Sequence, residues 1–318
     1  MAVFTKLEKS EIEEFLISYD IGKLEEFNEI VEGIENTNYK LICDGNPYIL
    51  TIFEKRVDEK DLPFFMDLKL YLNRKNFKCP KPIINKSNSI INNLKDKKAV
   101  IVSFINGTKI ELPDTKDCLE IGKTVGELHN ISLGFNEKKE NTLNLLALKN
   151  IFYKCLNSNY IEFKELLSEI NSEINFIENS WPEDLPSGII HADLFKDNVF
   201  FENGKISGII DFYFSCYHFF LYDIAIITND WCFKDNGKEF LNKHFDSLIA
   251  GYSLSRKLNN YEINSFNIIL RMATIRILIT RLHDYIFHPN DAIVVKKDPF
   301  EYYNILKWHQ KNKINPII

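Results

Sequence analysis

The chain of 318 residues is 45% hydrophobic and 13% aromatic, which is enough to bury at least one large core and, by length, about two domains. A formal net charge of −6 and a pI near 5.7 argue against a nucleic-acid partner, which needs a basic face, and the acidic balance is too mild to name another partner. The six scattered cysteines form no C-x-x-C pair and have no His at zinc-ligand spacing, so they read as reduced, mostly buried thiols. The first residues, MAVFTKLEKSEIEEF, lack the basic-then-apolar order of a signal peptide. No apolar run approaches the ~18 residues of a membrane span, and a cytoplasmic protein is expected.

SEIEEFLISYD opens with a possible N-cap and sets Ile12, Phe15, Leu16 and Tyr19 at helical spacing, which predicts a first helix. Three strand-like runs follow, FNEIVEG, NYKLIC and PYILTIF, joined at GIENTN and DGNP, and they predict an antiparallel meander. DLPFFMDLKLYLNRK reads as a helix with Pro63 in its first turn, and AVIVSFI as a buried strand running into Asn106-Gly107. A small α+β domain is therefore expected over residues 1–105, with the remainder, 106–318, as a second domain packed along a cleft. That second part reads as mainly helical, with long segments at DCLEIGKTVGELHNI and at about 144–179. Two strand–loop units, SGIIHAD and VFFENGKISGIIDF, interrupt the helices, and Asn203-Gly204 marks a hairpin turn. Everything beyond Tyr222 reads as helix.

IIHADLFKDNVFF places His191, Asp193, Asp197 and Asn198 between two greasy flanks, a polar tip on a rigid apolar base. Asp193 and Asn198 stand five apart, and Asp211 closes the next apolar strand, GIIDF. The order matches H-x-D-L-x-x-x-N followed by a strand and Asp, the catalytic loop and metal-binding Asp of protein kinases. The residue types suit that chemistry. Phosphoryl transfer to a hydroxyl needs one carboxylate to orient the hydroxyl and accept its proton, and oxygen ligands to hold Mg²⁺ against nucleotide phosphates. The plain alternative is a surface turn in which Asp193 or Asn198 caps backbone amides. Asp211 weighs against it. His191 is read as orienting the loop by hydrogen bonds, not as transferring a proton.

The chain resembles the aminoglycoside phosphotransferase and choline kinase superfamily, whose fold is similar to the protein kinases, and within it the bacterial homoserine kinases. The resemblance rests on MAVFTKLEKSEIEEFLISYDIG, VEGIENTNYKL, ILTIFEKRVDEKDLPFFMDL, IIHADLFKDNVFF, GIIDFYFSC, YDIAI, NDWCF, TRLHDY and VVKKDPFEYY, which span the chain. It implies a two-lobed α+β fold, with a small N-terminal antiparallel sheet that binds nucleotide and a larger, mainly helical C-terminal lobe for catalysis and substrate. The implied reaction is ATP-dependent phosphorylation of the L-homoserine side-chain hydroxyl, with ATP and Mg²⁺ as cofactors and the small-molecule substrate L-homoserine as partner, neither nucleic acid nor membrane, and the oligomeric state open.

Carried over by position, the resemblance makes Asp193 the catalytic base and Asn198 and Asp211 the Mg²⁺ ligands. The turn from Gly33 to Tyr39 becomes the phosphate loop, with the backbone N–H groups of Glu35, Asn36, Thr37 and Asn38 as donors. Adenine would meet the backbone from Ser103 to Ile105. His191 and Asp223 would support the catalytic loop, with Asp223 holding it in place. Where the family sets a Lys or Arg on the third strand, this chain has Thr51. Lys55 and Arg56 lie just beyond, and either Lys55 reaches in or the phosphates rely on Mg²⁺ and amides. An amino-acid substrate needs an acid or carbonyl for its ammonium and a cation or amides for its carboxylate. Asp230 and Arg281 are the candidates, with the backbone near Tyr213 as an alternative for the carboxylate. Arg271, Arg276 and Arg281 recur at intervals of five, so some must be structural. Rival readings are a kinase for an aminoglycoside, choline or methylthioribose, and a nucleotide-binding pseudokinase. The C-terminal third shows no acidic cluster for a polycation, and all three catalytic polar positions are intact.

Overall fold

The computed structural model describes residues 5–31, 36–54, 57–158, 163–287 and 297–316. Contacts divide the chain into two compact units, the first reaching Gly107 and including Ser207–Tyr213, the second running over Thr108–Ile206 and most of the chain from Phe214.

In the first unit, α1 (Lys9–Leu16) precedes β1 (Leu24–Ile30), β2 (Thr37–Cys43) and β3 (Asn46–Ile52). Then come α2 (Leu62–Arg74), β4 (Asn92–Leu94) and β5 (Lys97–Ser103). The sheet has five strands in the order β1-β2-β3-β5-β4, every described pairing antiparallel. The meander is therefore one edge of a larger sheet. The pattern missed β4 because its Asn-rich strand carries no apolar alternation. Two hairpins turn on paired left-handed residues, Asp44-Gly45 and Lys95-Asp96, the geometry of a two-residue type I′ turn. Strict alternation in β2 buries Thr37, Tyr39, Leu41 and Cys43, and Ile12 and Leu16 of α1 join that core. The chain ahead of α1 is stapled to the same face: Leu7 N–H donates to the Tyr39 hydroxyl at 3.0 Å, which donates in turn to the Thr5 carbonyl at 2.9 Å.

The second unit opens with β6 (Thr108–Lys109) and α3 (Thr115–Ser132), capped by an Asp114 that accepts from the N–H groups of Lys116 and Asp117. The segment expected as one helical stretch is two helices, α4 (Leu145–Leu156) and α5 (Lys164–Ser180). β7 (Ser187–Ile190) pairs with β10 (Cys216–Phe219), while β8 (Val199–Glu202) and β9 (Lys205–Ile209) form the hairpin over Asn203-Gly204. The polar loop thus leaves β7 and returns in a different sheet. After α6 (Phe220–Trp231), a short hairpin of β11 (Phe233–Lys234) and β12 (Glu239–Phe240) breaks the run expected to be all helix. α7 (Asn242–Ser255), α8 (Asn260–Phe287) and α9 (Phe300–Lys311) complete the unit.

α3 and α7 approach closely because Gly122 and Gly251 have no side chain: a Cβ on either would collide with the carbonyl oxygen of Leu248 or Leu119. α8 is apolar and long enough to cross a membrane by composition, yet most of its apolar stretch is buried, and it packs against α4, α5, α6 and α9. All six cysteines are free and buried.

Candidate active site

The polar loop is built in the second unit. β7 delivers His191 and Ala192 into the interior, both almost wholly buried, and a short 3₁₀ turn, Lys196–Asn198, leads into β8. Asn198 Nδ2 donates to the Asp193 carbonyl at 2.8 Å and to its Oδ2 at 3.1 Å, so the two residues meet across one turn. Asp193 N–H donates to His191 Nδ1 at 3.2 Å, which makes that ring nitrogen an acceptor.

Ala192 sits at φ +62°, a left-handed conformation that costs a non-glycine residue about 1–2 kcal/mol. Asp223 holds it there. Its Oδ1 accepts from Ala192 N–H at 2.7 Å and its Oδ2 from His191 N–H at 2.9 Å. Asp223 is itself braced by His129 Nε2 at 3.2 Å, whose Nδ1 lies 2.8 Å from the Tyr252 hydroxyl. The close packing of α3 on α7 brings that His and Tyr together. Burial by itself would push the Asp223 carboxyl up, but His129, His191 and the His191 backbone N–H outweigh it and hold the group below its usual range.

The same face of α6 reads the rest of the loop. Residues 223, 230 and 231 follow helical spacing, and Asp230 accepts from Lys196 N–H at 2.9 Å while Trp231 Nε1 donates to the Leu194 carbonyl at 3.2 Å. Asp230 therefore already has a backbone partner. Burial, with Glu301 and Asp197 adding to it, raises its carboxyl against the pull of Lys196. Arg276 of α8, singled out in the sequence only as one of three evenly spaced arginines, donates to the Ala192 carbonyl and, at 3.1 Å, to Asp193 Oδ1. Arg281 instead pairs with Glu301 at 2.5 Å, and its guanidinium lies 4.5 Å from the centre of the Tyr302 ring.

The first unit carries the remaining candidates. Asp211, at φ +62°, follows β9 and precedes Tyr213, whose ring packs edge-on against Phe53 and Phe65 at 5.2 and 5.6 Å. The Thr51 hydroxyl donates to Asn38 Oδ1 at 2.8 Å. Thr37 and Asn38 lie within β2, opposite Ile52 and Thr51, and so in the ladder and not in the preceding turn. The Thr37 hydroxyl bonds Glu54, as does Thr5, and Lys97 completes the cluster. Gly33 and Glu35 lie outside the described residues, as do Lys55 and Arg56. Asn36 is buried, and its Nδ2-bearing neighbour Asn38 donates to its carbonyl at 3.4 Å. Ser103 ends β5, with its N–H on the Lys81 carbonyl and its hydroxyl accepting from Lys81 N–H; Ile105 packs where Gly208 has no side chain.

Lys69 of α2 is a buried cation that no motif signalled. Its Nζ is 3.4 Å from the Tyr213 hydroxyl and 4.8 Å from the ring centre. Burial pushes its ammonium down from 10.5 to about 8, with Cys79 and Asp211 pulling the other way. A folded pKa below the unfolded one means that the fold resists the charged form, so below about pH 8 the charge costs stability. Lys69→Met should therefore stabilise the fold by on the order of 2 kcal/mol at pH 7. The gain should shrink as pH rises from about 8 and vanish above 10.5, where the unfolded lysine is neutral too. Denaturant midpoints across that range measure it, and a gain independent of pH would remove the charge as its cause.

A small antiparallel-sheet unit followed by a helical unit, with an Asp–Asn loop clamped behind a buried strand, defines a kinase-like phosphotransferase. The model of the phosphotransferase enzyme family matches residues 26–253. Homoserine kinases of Agrobacterium fabrum and Parvibaculum lavamentivorans are 39% and 40% identical over 98% of this chain and 96% of their own. Among solved structures, an amicoumacin kinase in complex with AMP-PNP and Ca²⁺ has a TM-score of 0.69 at 16% identity, covering 96% of this chain and 92% of its own. A choline kinase of Streptococcus pneumoniae superposes with a TM-score of 0.63 at 13% identity, covering 95% and 97%. The chain belongs to the phosphotransferase enzyme family, and within it to the family of the homoserine kinases.

Proposed function

We propose that the protein transfers the γ-phosphoryl group of ATP to the side-chain hydroxyl of L-homoserine, giving O-phospho-L-homoserine and ADP, a step toward threonine. The observation that carries the reading is identity of 39–40% to homoserine kinases along nearly the whole chain. Asp193 orients the hydroxyl and takes its proton as the new P–O bond forms and the bond to the ADP leaving group breaks. Asn198 and Asp211 would hold Mg²⁺. Among the described residues no group of three or more His, Cys, Asp or Glu could cage a metal. This suits an ion that takes one or two protein oxygens and completes its shell with water and phosphate. Bound there, it would neutralise charge on the phosphates. The first unit, with residues 33–38 and 103–105, serves the nucleotide; residues 106–318 serve catalysis and substrate. A cytoplasmic enzyme is consistent with its need for ATP.

Coupled ADP release measured with homoserine, serine, choline and an aminoglycoside tests the substrate. Homoserine should be the best acceptor, and preference for choline or the aminoglycoside would reassign the enzyme to another branch of the family. Asp230 and Arg281 remain the proposed partners of the ammonium and carboxylate, although Arg281 would have to yield Glu301 to do so. If it does, losing a hydrogen bond to a charged group, worth about 1.5–3 kcal/mol, makes Arg281→Leu lose ~10- to 150-fold in kcat/KM for homoserine at unchanged KM for ATP. Homoserinol, lacking the carboxylate, should be hurt far less. Equal losses would make Arg281 a brace for α9 and move the carboxylate partner to the backbone near Tyr213.

A further inference from the structure

The three arginines spaced five apart on α8 differ in what they touch. Arg271 pairs with Glu173 of α5, its Nη2 2.6 Å from Oε2, and covers the Phe176 ring. Arg281 pairs with Glu301 of α9. Both tie helix to helix. Arg276, only 3% exposed, reaches the loop instead: Nη1 donates to the Ala192 carbonyl and Nη2 to Asp193 Oδ1 at 3.1 Å, while the Phe214 ring centre lies 5.1 Å from the guanidinium carbon. Burying a guanidinium is costly unless its donors are used; Nη1 and Nη2 are spent on two adjacent residues of one strained turn, while the buried Nε has no hydrogen-bond partner among the described residues.

Ala192 is thus gripped on both sides of its left-handed backbone, by Asp223 at the N–H and by Arg276 at the carbonyl. The Asp193 carboxylate is likewise held at both oxygens, Oδ1 by Arg276 and Oδ2 by Asn198. Each carboxylate oxygen has a second lone pair, so the held group can still accept the hydroxyl of a substrate.

We propose that Arg276 is a positioning residue for phosphoryl transfer, fixing the Ala192 peptide and the Asp193 carboxylate as one body. The planar fork of a guanidinium suits this task, since it meets two acceptors at once where an ammonium meets them singly. The inference rests on Asp193 being the base in the kinase reading above. Misplacing a catalytic group by about 1 Å costs on the order of 100-fold in rate. Arg276→Met should therefore lower kcat by ~100-fold while the Kd for AMP-PNP stays within about threefold. Arg276→Lys should fall between, because one ammonium cannot span both acceptors.

The experiment measures kcat, KM and AMP-PNP binding for the wild type, Arg276→Lys, Arg276→Met and Arg276→Ala, with thermal unfolding of each and with methylguanidine added. Partial recovery of kcat in Arg276→Ala by methylguanidine, absent in Asp193→Asn, is the expected signature. A helix brace would not produce it. Should the Met and Ala variants fail to fold, Arg276→Lys carries the test through its kcat against its KM. A folded Arg276→Lys with wild-type kcat, or a folded Arg276→Met within threefold of wild type, overturns the proposal. Rates are taken relative to wild type on whichever alcohol it phosphorylates, so failure of wild type on homoserine would sink the substrate reading and leave the Arg276 comparison standing.

Discussion

Asp193→Asn should bind nucleotide as the wild type does and lose phosphoryl transfer by about 100-fold or more, the usual worth of a positioned acid–base group. The substitution keeps the shape of the side chain but replaces one acceptor oxygen by an NH₂. Both oxygens of Asp193 accept hydrogen bonds in the structure, from Arg276 and Asn198. One of those donors will then face another donor, and a stability loss of about 1–3 kcal/mol should accompany the loss of rate. The two effects separate cleanly, since kcat at a temperature well below unfolding reports the chemistry and the melting midpoint reports the mismatch. A fall in kcat of less than threefold would remove Asp193 from the role of base.

The second large effect is expected at Asp211. Asp211→Asn tolerates the left-handed backbone at φ +62°, as Asp does, so it removes the charge without adding backbone strain. Activity should be abolished if this carboxylate holds the ion that screens the phosphates. Asn198→Ala should instead raise the Mg²⁺ concentration for half-maximal rate, because a neutral ligand contributes less than a charged one. Titrating Mg²⁺ against initial rate distinguishes the two. An unchanged titration for Asn198→Ala would leave that side chain only its bond to Asp193. Lys69 offers an internal check: Asp211 holds its ammonium up, so losing that charge should lower the Lys69 pKa further below about 8.

Much of this protein was legible from residue order. Turn chemistry announced the Asp44-Gly45 and Asn203-Gly204 hairpins, since both turns need two successive left-handed residues and few residue pairs supply them. Apolar periodicity marked α1, α2 and α3 to within a few residues. The segment His191 to Asn198 stood out because polar groups between two buried strand flanks need a reason to be there. Such signals are local, and a reader of the chain meets them within a dozen residues.

What the order of residues could not decide is which distant side chains close around that loop. Asp223, Asp230 and Trp231 each bind a different point of it only because α6 turns one face toward it. Tyr252 reaches His129, the brace of Asp223, because two glycines let α3 and α7 nearly touch. Of the three arginines of α8 the residue order singled out Arg281, yet what each touches depends on whether it faces α5, the loop or α9. A short-range pattern reports what one segment can become, whereas a guanidinium or a buried lysine takes its role from the charge it meets in space. The sequence by itself therefore determined the family, the polar loop from His191 to Asn198 and the principal elements; tertiary packing alone decided that Arg276, and not Arg281, meets Asp193, and that Lys69 is buried beside Tyr213.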